Sequence, residues 1–479
     1  MVEQTSINVA VVGAGLAGLA AALRAAQAGL SVAVLEKSRE AAYPCNSRFT
    51  GGLFHIAMDD MAGERDWTLR NVVEATYGQT HMELAQALVD TAPRTLTWLR
   101  EQGVRMIKGG PDGLRNHALA PPGIQQTGLN PNGRPYWVGR SGDVMLRTLT
   151  ERFTARGGVL RRGVRARRLL MENDRCIGLE AEEAGKTISV RADAVVLADG
   201  GFQANEELMK RFISRRPERL MQRNARSGGG DCLLMAEEAG AALVGTESFY
   251  GHLLYREAME DDRFWPYPML DSVACGGVVV DASARRFCDE GRGGIYVANE
   301  IARLDDPLST FAIFDSAIWN EGPARDFLLP ANPNFTKAGG VLRSADSVAG
   351  LAALVGLDPV ALSETVEAHN RFVENGAKNP LAMPRTTSKR QAWPIVRPPF
   401  HAIPLCAGVT YTMGGILTDP DGRVLRPDRA PIPGVFAAGA CTGGLEGWSD
   451  AGYSGGLSKA SVFGMRTGEY IARSLAEPA

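Results

Sequence analysis

Three apolar runs of strand length end at glycine or beside it: Ile7–Val12 at Gly13, Ala194–Ala198 at Asp199-Gly200-Gly201, and Gly434–Ala438 at Gly439. Short buried-type runs closed by glycine predict strands whose carboxyl ends bring bare backbone to a ligand. After the first, an alanine-rich stretch runs to Gly29 as a helix, and a fourth run, Ser31–Leu35, ends at Glu36. Leucines at 84, 88, 96 and 99 share one face of a helix predicted over Thr80–Arg100, with a kink expected at Pro93. Further helices are predicted from Arg140 to about Arg156, from Asp358-Pro359 to about Asn375, and from Gly455-Gly456 to about Leu475. Gly163–Leu170 and Cys176–Ala181 read as paired strands around a turn at Glu172-Asn173-Asp174. Residues 105–139, rich in Gly, Pro and Asn, read as a surface excursion.

The pattern changes near residue 245, where aromatics and prolines become denser, Phe264-Trp265-Pro266-Tyr267-Pro268 most of all. Residues 245–402 are therefore expected to form a second domain inserted between two parts of the first, 1–244 and 403–479. With 52 basic and 54 acidic residues, the balance points to neither nucleic acid nor an anionic membrane. No apolar run reaches the roughly 20 residues of a membrane span, and a cytoplasmic setting is expected. The seven cysteines are scattered and never form CxxC, which disfavours disulfide, iron–sulfur, haem and zinc readings and disulfide reductase chemistry.

The first forty residues carry the sharpest signal. Gly13-Ala14-Gly15-Leu16-Ala17-Gly18 stands between a strand and a helix, and Glu36 follows at the end of the next strand, roughly twenty residues on. Gly13 allows the tight turn, Gly15 admits a pyrophosphate, and Gly18 lets the helix sit close on the strand. Glu36 is placed to accept from a ribose hydroxyl. This order predicts a dinucleotide site.

These segments resemble the flavoprotein family of soluble fumarate reductases, succinate dehydrogenase flavoprotein subunits and 3-ketosteroid 1-dehydrogenases, and within it tricarballylate-dehydrogenase-like proteins. The resemblance rests on Gly13–Gly18 with Glu36, Asn46-Ser47-Arg48 with Thr50-Gly51-Gly52, Leu197–Phe202 and Gly229-Gly230-Asp231. It continues through Arg286-Phe287 with Asp289-Glu290-Gly291, Thr412–Gly415, Gly434–Gly439 and Ser454-Gly455-Gly456. It implies FAD and an α/β fold, a Rossmann-like FAD-binding domain with an inserted α+β capping domain. By motif position the implied FAD contacts are Gly13, Ala14, Gly15, Gly18, Glu36, Lys37, Asn46, Ser47, Thr50, Gly51, Gly52, Asp231, Gly439, Gly455 and Leu457. Asp199 stands where related chains often have Thr, and Ala440 where they often have Glu. With no histidine between Asn46 and Gly52, noncovalent FAD is expected.

Departures from the fumarate reductases decide the implied chemistry. Tyr411 stands where they carry a histidine, Tyr453 where they carry a substrate-clamping arginine, and Gly294 where they carry a proton-delivering arginine. The resemblance then implies a dehydrogenase that removes a proton and a hydride from adjacent carbons beside a carboxylate or ketone. The rivals are the reverse reduction of an activated alkene and an electron-transfer component without its own substrate. A small carboxylate or cyclic ketone is the expected substrate, with a quinone or an electron-transfer protein as acceptor. Tyr453 can donate to a developing enolate oxygen, and Tyr296, His252 and Tyr411 are the other catalytic candidates. Each could instead be a packing residue. Arg292, His401, Trp448 and Arg140 are candidates for the substrate pocket, and Arg385 and Lys389 for anion clamps; surface charge is the default reading of any one arginine or lysine.

Overall fold

The computed structural model describes residues 6–108, 117–123, 137–326, 330–376, 381–387, 390–450 and 452–476. Lys389 and much of the excursion expected over 105–139 lie outside them. The central sheet runs β12 (Pro431–Ala437), β6 (Lys186–Leu197), β1 (Ser6–Val12), β2 (Val32–Glu36) and β3 (Val159–Arg162), all parallel, with the short strand Arg423–Leu425 antiparallel at one edge. β6 does two jobs. Its second half joins this sheet, while Lys186–Arg191 pairs antiparallel with β5 (Arg175–Glu183). β5 in turn pairs with β4 (Val164–Glu172) across a turn in which Asn173 and Asp174 have φ of 48° and 65°, the paired positive values of a tight hairpin.

Helix α1 (Leu16–Gln27) is buried along nearly its whole length, and its small side chains let α6 (Gly456–Ala476) pack on it closely. A Cβ at Gly464 would lie 2.4 Å from the carbonyl oxygen of Ala17. α2 (Met82–Glu101) runs unbroken through Pro93, α3 (Ser141–Thr154) and α5 (Pro359–Asn375) form where expected, and α4 (Gly294–Arg303) lies between them in the chain. Asp358 caps α5 by accepting from Ala361 N–H at 2.7 Å.

The inserted domain is built on a second sheet around β11 (Phe400–Thr412), a buried strand flanked by β10 (Phe311–Asp315) and β8 (Phe249–Tyr255), with β9 (Val278–Val280) beyond β10. Two features bear on the expected domain edges. β11 runs straight through the boundary expected at 402–403, and β7 (Met221–Gln222), from before residue 245, pairs with it. Phe202, Leu208, Met209 and Met221 join the core of this domain for the same reason. The composition shift marks where aromatics begin, whereas the sheet recruits chain from both sides of it.

Candidate active site

A cavity of about 730 Å³ lies where the carboxyl ends of β1, β2 and β6 meet the inserted domain. One side is a cradle of bare backbone. Gly13 has a φ of 98°, and a Cβ there would lie 2.6 Å from the carbonyl oxygen of Ala198. Gly455, with a φ of 110°, brings the start of α6 to within a would-be Cβ contact of 2.1 Å from the carbonyl oxygen of His55. Glu36 is buried and accepts from Ala14 N–H at 3.2 Å and Ser38 N–H at 2.9 Å; burial raises its carboxyl pKa against these bonds. Ser47 Oγ accepts from Leu16 N–H at 3.1 Å, tying the polar loop to the start of α1. Asn46 bridges the domains, donating to Thr410 O at 2.8 Å and accepting from Ala225 N–H at 3.1 Å.

Of the expected cofactor contacts, Gly13, Ala14, Gly15, Glu36, Lys37, Asn46, Ser47, Thr50, Gly51, Gly52, Asp199, Asp231, Gly439, Ala440 and Leu457 line the cavity. Gly18 and Gly455 do not; they set the packing around it. Asp231 spends its carboxylate on Arg165, at 2.7 and 2.9 Å, and lies 3.9 Å from Lys37. Asp199 is different. One oxygen accepts from Cys232 N–H at 3.1 Å, but the other is buried without a partner, and burial pushes the carboxyl up to about 6. An orphaned acceptor beside a glycine-lined cradle fits a group that brings its own hydroxyls or amines.

Asp199 also carries a pH prediction. Its carboxyl is raised in the fold, so folding favours the protonated form, and stability falls as pH rises from about 4 through 6. The drop is about 3 kcal/mol. Urea unfolding of deflavinated protein is expected to show it, and Asp199→Asn is expected to lose that pH dependence. An unchanged pH profile in the variant would assign the drop elsewhere.

Facing the cradle is a polar aromatic cluster. Tyr453 and Tyr250 stack with ring centres 3.7 Å apart and planes 10° from parallel, and Tyr411 lies 5.5 Å from Tyr250. His252 Nε2 is 2.9 Å from Tyr250 Oη, and its Nδ1 is 3.1 Å from Asp271 Oδ1. With Nδ1–H donating to Asp271, Nε2 is left to accept from the Tyr250 hydroxyl. Burial lowers the His252 pKa despite Asp271, and raises those of Tyr250 and Tyr411 well above the usual phenol value. Tyr453 is pushed up to about 12, again by burial, and its oxygen accepts from Gly456 N–H at 3.2 Å. Tyr411 donates to Glu446 at 2.6 Å, and Lys459 pairs with the other Glu446 oxygen at 3.0 Å.

Tyr453, Tyr411, His252, Tyr296 and Arg292 all line the cavity. Arg292 is engaged already: it donates to Asp450 at 2.8 Å and lies between the rings of Tyr77 and Tyr296. It latches the inserted domain to the first. A side chain at Gly294 would meet Asp271 Oδ1 at 1.7 Å, so the carboxylate that orients His252 occupies the space an arginine would need.

Three expected pocket residues are not brought to the site. His401 sits in the inserted sheet at 2.8 Å from Ser344 Oγ. Trp448 is exposed and packs on His81. Arg140 precedes α3 and donates to Gly123 O. Arg385 is buried against Glu290 at 3.1 Å, a structural pair. The aromatic patch is divided: Phe264 enters the core, Trp265 belongs to the core and also lines the cavity, and Tyr267 lines the cavity. The sequence reading missed Tyr250, Asp271, Arg223 and His55. Tyr250 shares a strand face with His252 at i and i+2, a signal that was open to reading. His55 follows Gly51-Gly52 and lies 5.1 Å from the Tyr453 ring, with burial lowering it to about 4.

The family described as FAD binding domain matches residues 8–455. The chain belongs to that family. It is 27% identical to NADH:fumarate oxidoreductase of Klebsiella pneumoniae (strain 342), over 98% of this chain and 48% of that protein. It is 26% identical to urocanate reductase of Eggerthella lenta, over 97% of this chain and 74% of that protein. The chain thus spans about half the length of the first relative and three quarters of the second. In fold it is similar to 3-ketosteroid delta1-dehydrogenase from Sterolibacterium denitrificans, with a TM-score of 0.72 and 20% identity over 98% of this chain and 100% of that one. The expected FAD-binding fold with mixed helices and sheets is therefore the fold of this family member. Among the described residues, no helix is long and apolar enough to cross a membrane, and no group of three or more His, Cys, Asp or Glu could hold a metal ion.

Proposed function

We propose that this FAD-binding chain is an oxidoreductase that interconverts a saturated and an unsaturated carbon–carbon bond beside a carboxylate or ketone. The observation that carries the reading is the hydrogen-bonded series Tyr250, His252, Asp271, set against Tyr453 inside the cavity that the glycine cradle opens into. FAD, held there noncovalently, supplies the hydride acceptor. The protein's part is the proton and the developing negative charge. His252 Nε2, neutral and oriented by Asp271, takes the Tyr250 hydroxyl proton as Tyr250 Oη takes one from the carbon next to the carbonyl, and the imidazolium formed is paired with Asp271. The two transfers are concerted, because burial disfavours a free Tyr250 phenolate and an unpaired His252 cation. Tyr453 stays protonated at neutral pH and donates to the enolate oxygen, while Gly456 N–H holds its own oxygen in place. Tyr411, fixed by Glu446, closes the cluster from the α6 side.

The same groups serve the reverse direction, in which Tyr250 returns the proton. Reduction is the direction named for urocanate reductase, and dehydrogenation the one named for the ketosteroid dehydrogenase. An electron-transfer role without a substrate is disfavoured by a cavity lined with Tyr453, Tyr296 and His252. Turnover with a dye acceptor tests the dehydrogenase direction. A saturated acid or ketone should leave lighter by one H2, and His252→Asn should slow this by ~10²-fold or more. Unaltered turnover in that variant would remove His252 from the chemistry.

A further inference from the structure

We infer that Arg223 is the anion clamp of this site, and hence that the substrate is a carboxylic acid and not a neutral ketone; this rests on the reaction proposed above. Among the described residues three arginines are buried: Arg48, Arg223 and Arg385. Arg48 pairs with Asp143 and Arg385 with Glu290. Arg223 has no carboxylate against it among the described residues. Its guanidinium donates to Pro266 O at 3.1 Å and Thr410 Oγ1 at 3.0 Å, and reaches the weak acceptor Met269 Sδ at 3.7 Å. Neutral acceptors satisfy part of the fork and leave the charge uncompensated. A charge taken from water without a counter-ion is costly, so folds keep one where a ligand provides the partner.

Position agrees with this. Arg223 follows β7 and its N–H is bonded to Val409 O, so its side chain starts from the edge of the inserted sheet, beside β11. It lines the same cavity as Tyr250 and Tyr453, and Tyr267 lies beneath it at 5.4 Å. Its charge reaches Tyr250, Tyr453 and His252, and works to lower the pKa of all three. A substrate carboxylate on Arg223 is thereby held beside the proton-moving cluster.

The test is equilibrium binding to the holoenzyme, read by the flavin difference spectrum and by thermal shift, with no turnover required. The probes are acetate and succinate, set against acetamide and succinamide, which match them in shape without the charge. Wild type is expected to bind the carboxylates saturably and to bind the amides at least tenfold more weakly. Arg223→Gln is expected to weaken carboxylate binding ~30-fold or more at unchanged flavin content. Should Arg223→Gln fail to fold, Arg223→Lys decides, losing the two-pronged geometry and at least threefold in affinity while keeping the charge. Equal binding of acids and amides, no carboxylate binding by wild type, or wild-type carboxylate affinity in both variants would each overturn the inference. So would a changed flavin potential in Arg223→Gln with carboxylate binding intact, which would make the guanidinium a partner of the flavin. Carboxylate binding that depends on Arg223 without any carbon–carbon turnover would instead retain the clamp and reject the reaction.

Discussion

Tyr453→Phe is expected to lower the rate of the carbon–carbon step by ~10²–10³-fold while leaving flavin content and melting temperature close to wild type. The variant removes one oxygen. The ring that stacks on Tyr250 at 3.7 Å stays, so the packing of the cluster is retained. What disappears is a hydroxyl that burial holds protonated up to about 12, and with it a donor aimed at charge that develops only in the transition state. Pre-steady-state flavin reduction separates this from a binding defect, because the rate at saturating substrate should fall with little change in the concentration giving half-saturation. A fall of less than tenfold would make Tyr453 a packing residue.

Lys459→Met is expected to cost about 3–5 kcal/mol of stability. Lys459 is buried in α6, donating to Glu446 at 3.0 Å and Thr442 O at 2.9 Å. Without it, the fully buried Glu446 carboxylate keeps only the Tyr411 hydroxyl at 2.6 Å and Ser454 N–H at 3.4 Å. The methionine fills the volume, so the penalty is that of an unpaired charge. Glu446→Gln combined with Lys459→Met should therefore recover most of the loss in urea unfolding. If the double variant were no more stable than the single one, packing of the lysine stem would be the cause.

The bare-backbone side of the cavity was legible in the sequence because such a turn is local. Gly13, Gly15 and Glu36 owe their roles to one strand–turn–helix–strand unit, and the order of residues contains the geometry. Tyr453 was open to reading through motif position, whereas His252 entered as a lone histidine with nothing in the sequence to show what orients it. Arg223, Asp271 and the Glu446–Lys459 pair were not legible, because whether a charge is buried and what faces it are decided by elements far apart in the chain. Arg223 owes its place to β11, nearly two hundred residues later. His401, Trp448 and Arg140 fail for the converse reason: each has the right chemistry, but its own element turns it toward Ser344, His81 or Gly123. The strand that runs across residue 402 left no mark in the sequence, because a buried strand such as β11 has no polar break. The comparisons give the family, while the narrower tricarballylate likeness remains a motif reading.

The most direct test is anaerobic mixing of the purified, oxidised holoenzyme with saturated carboxylic acids and their ketone counterparts, followed by the visible flavin spectrum. Bleaching by an acid, with one equivalent of unsaturated product per flavin, is the expected result. Reoxidation of the dithionite-reduced enzyme by the unsaturated acid should accompany it. A flavin that neither bleaches with any saturated compound nor reoxidises with any unsaturated one would contradict carbon–carbon redox chemistry at this site.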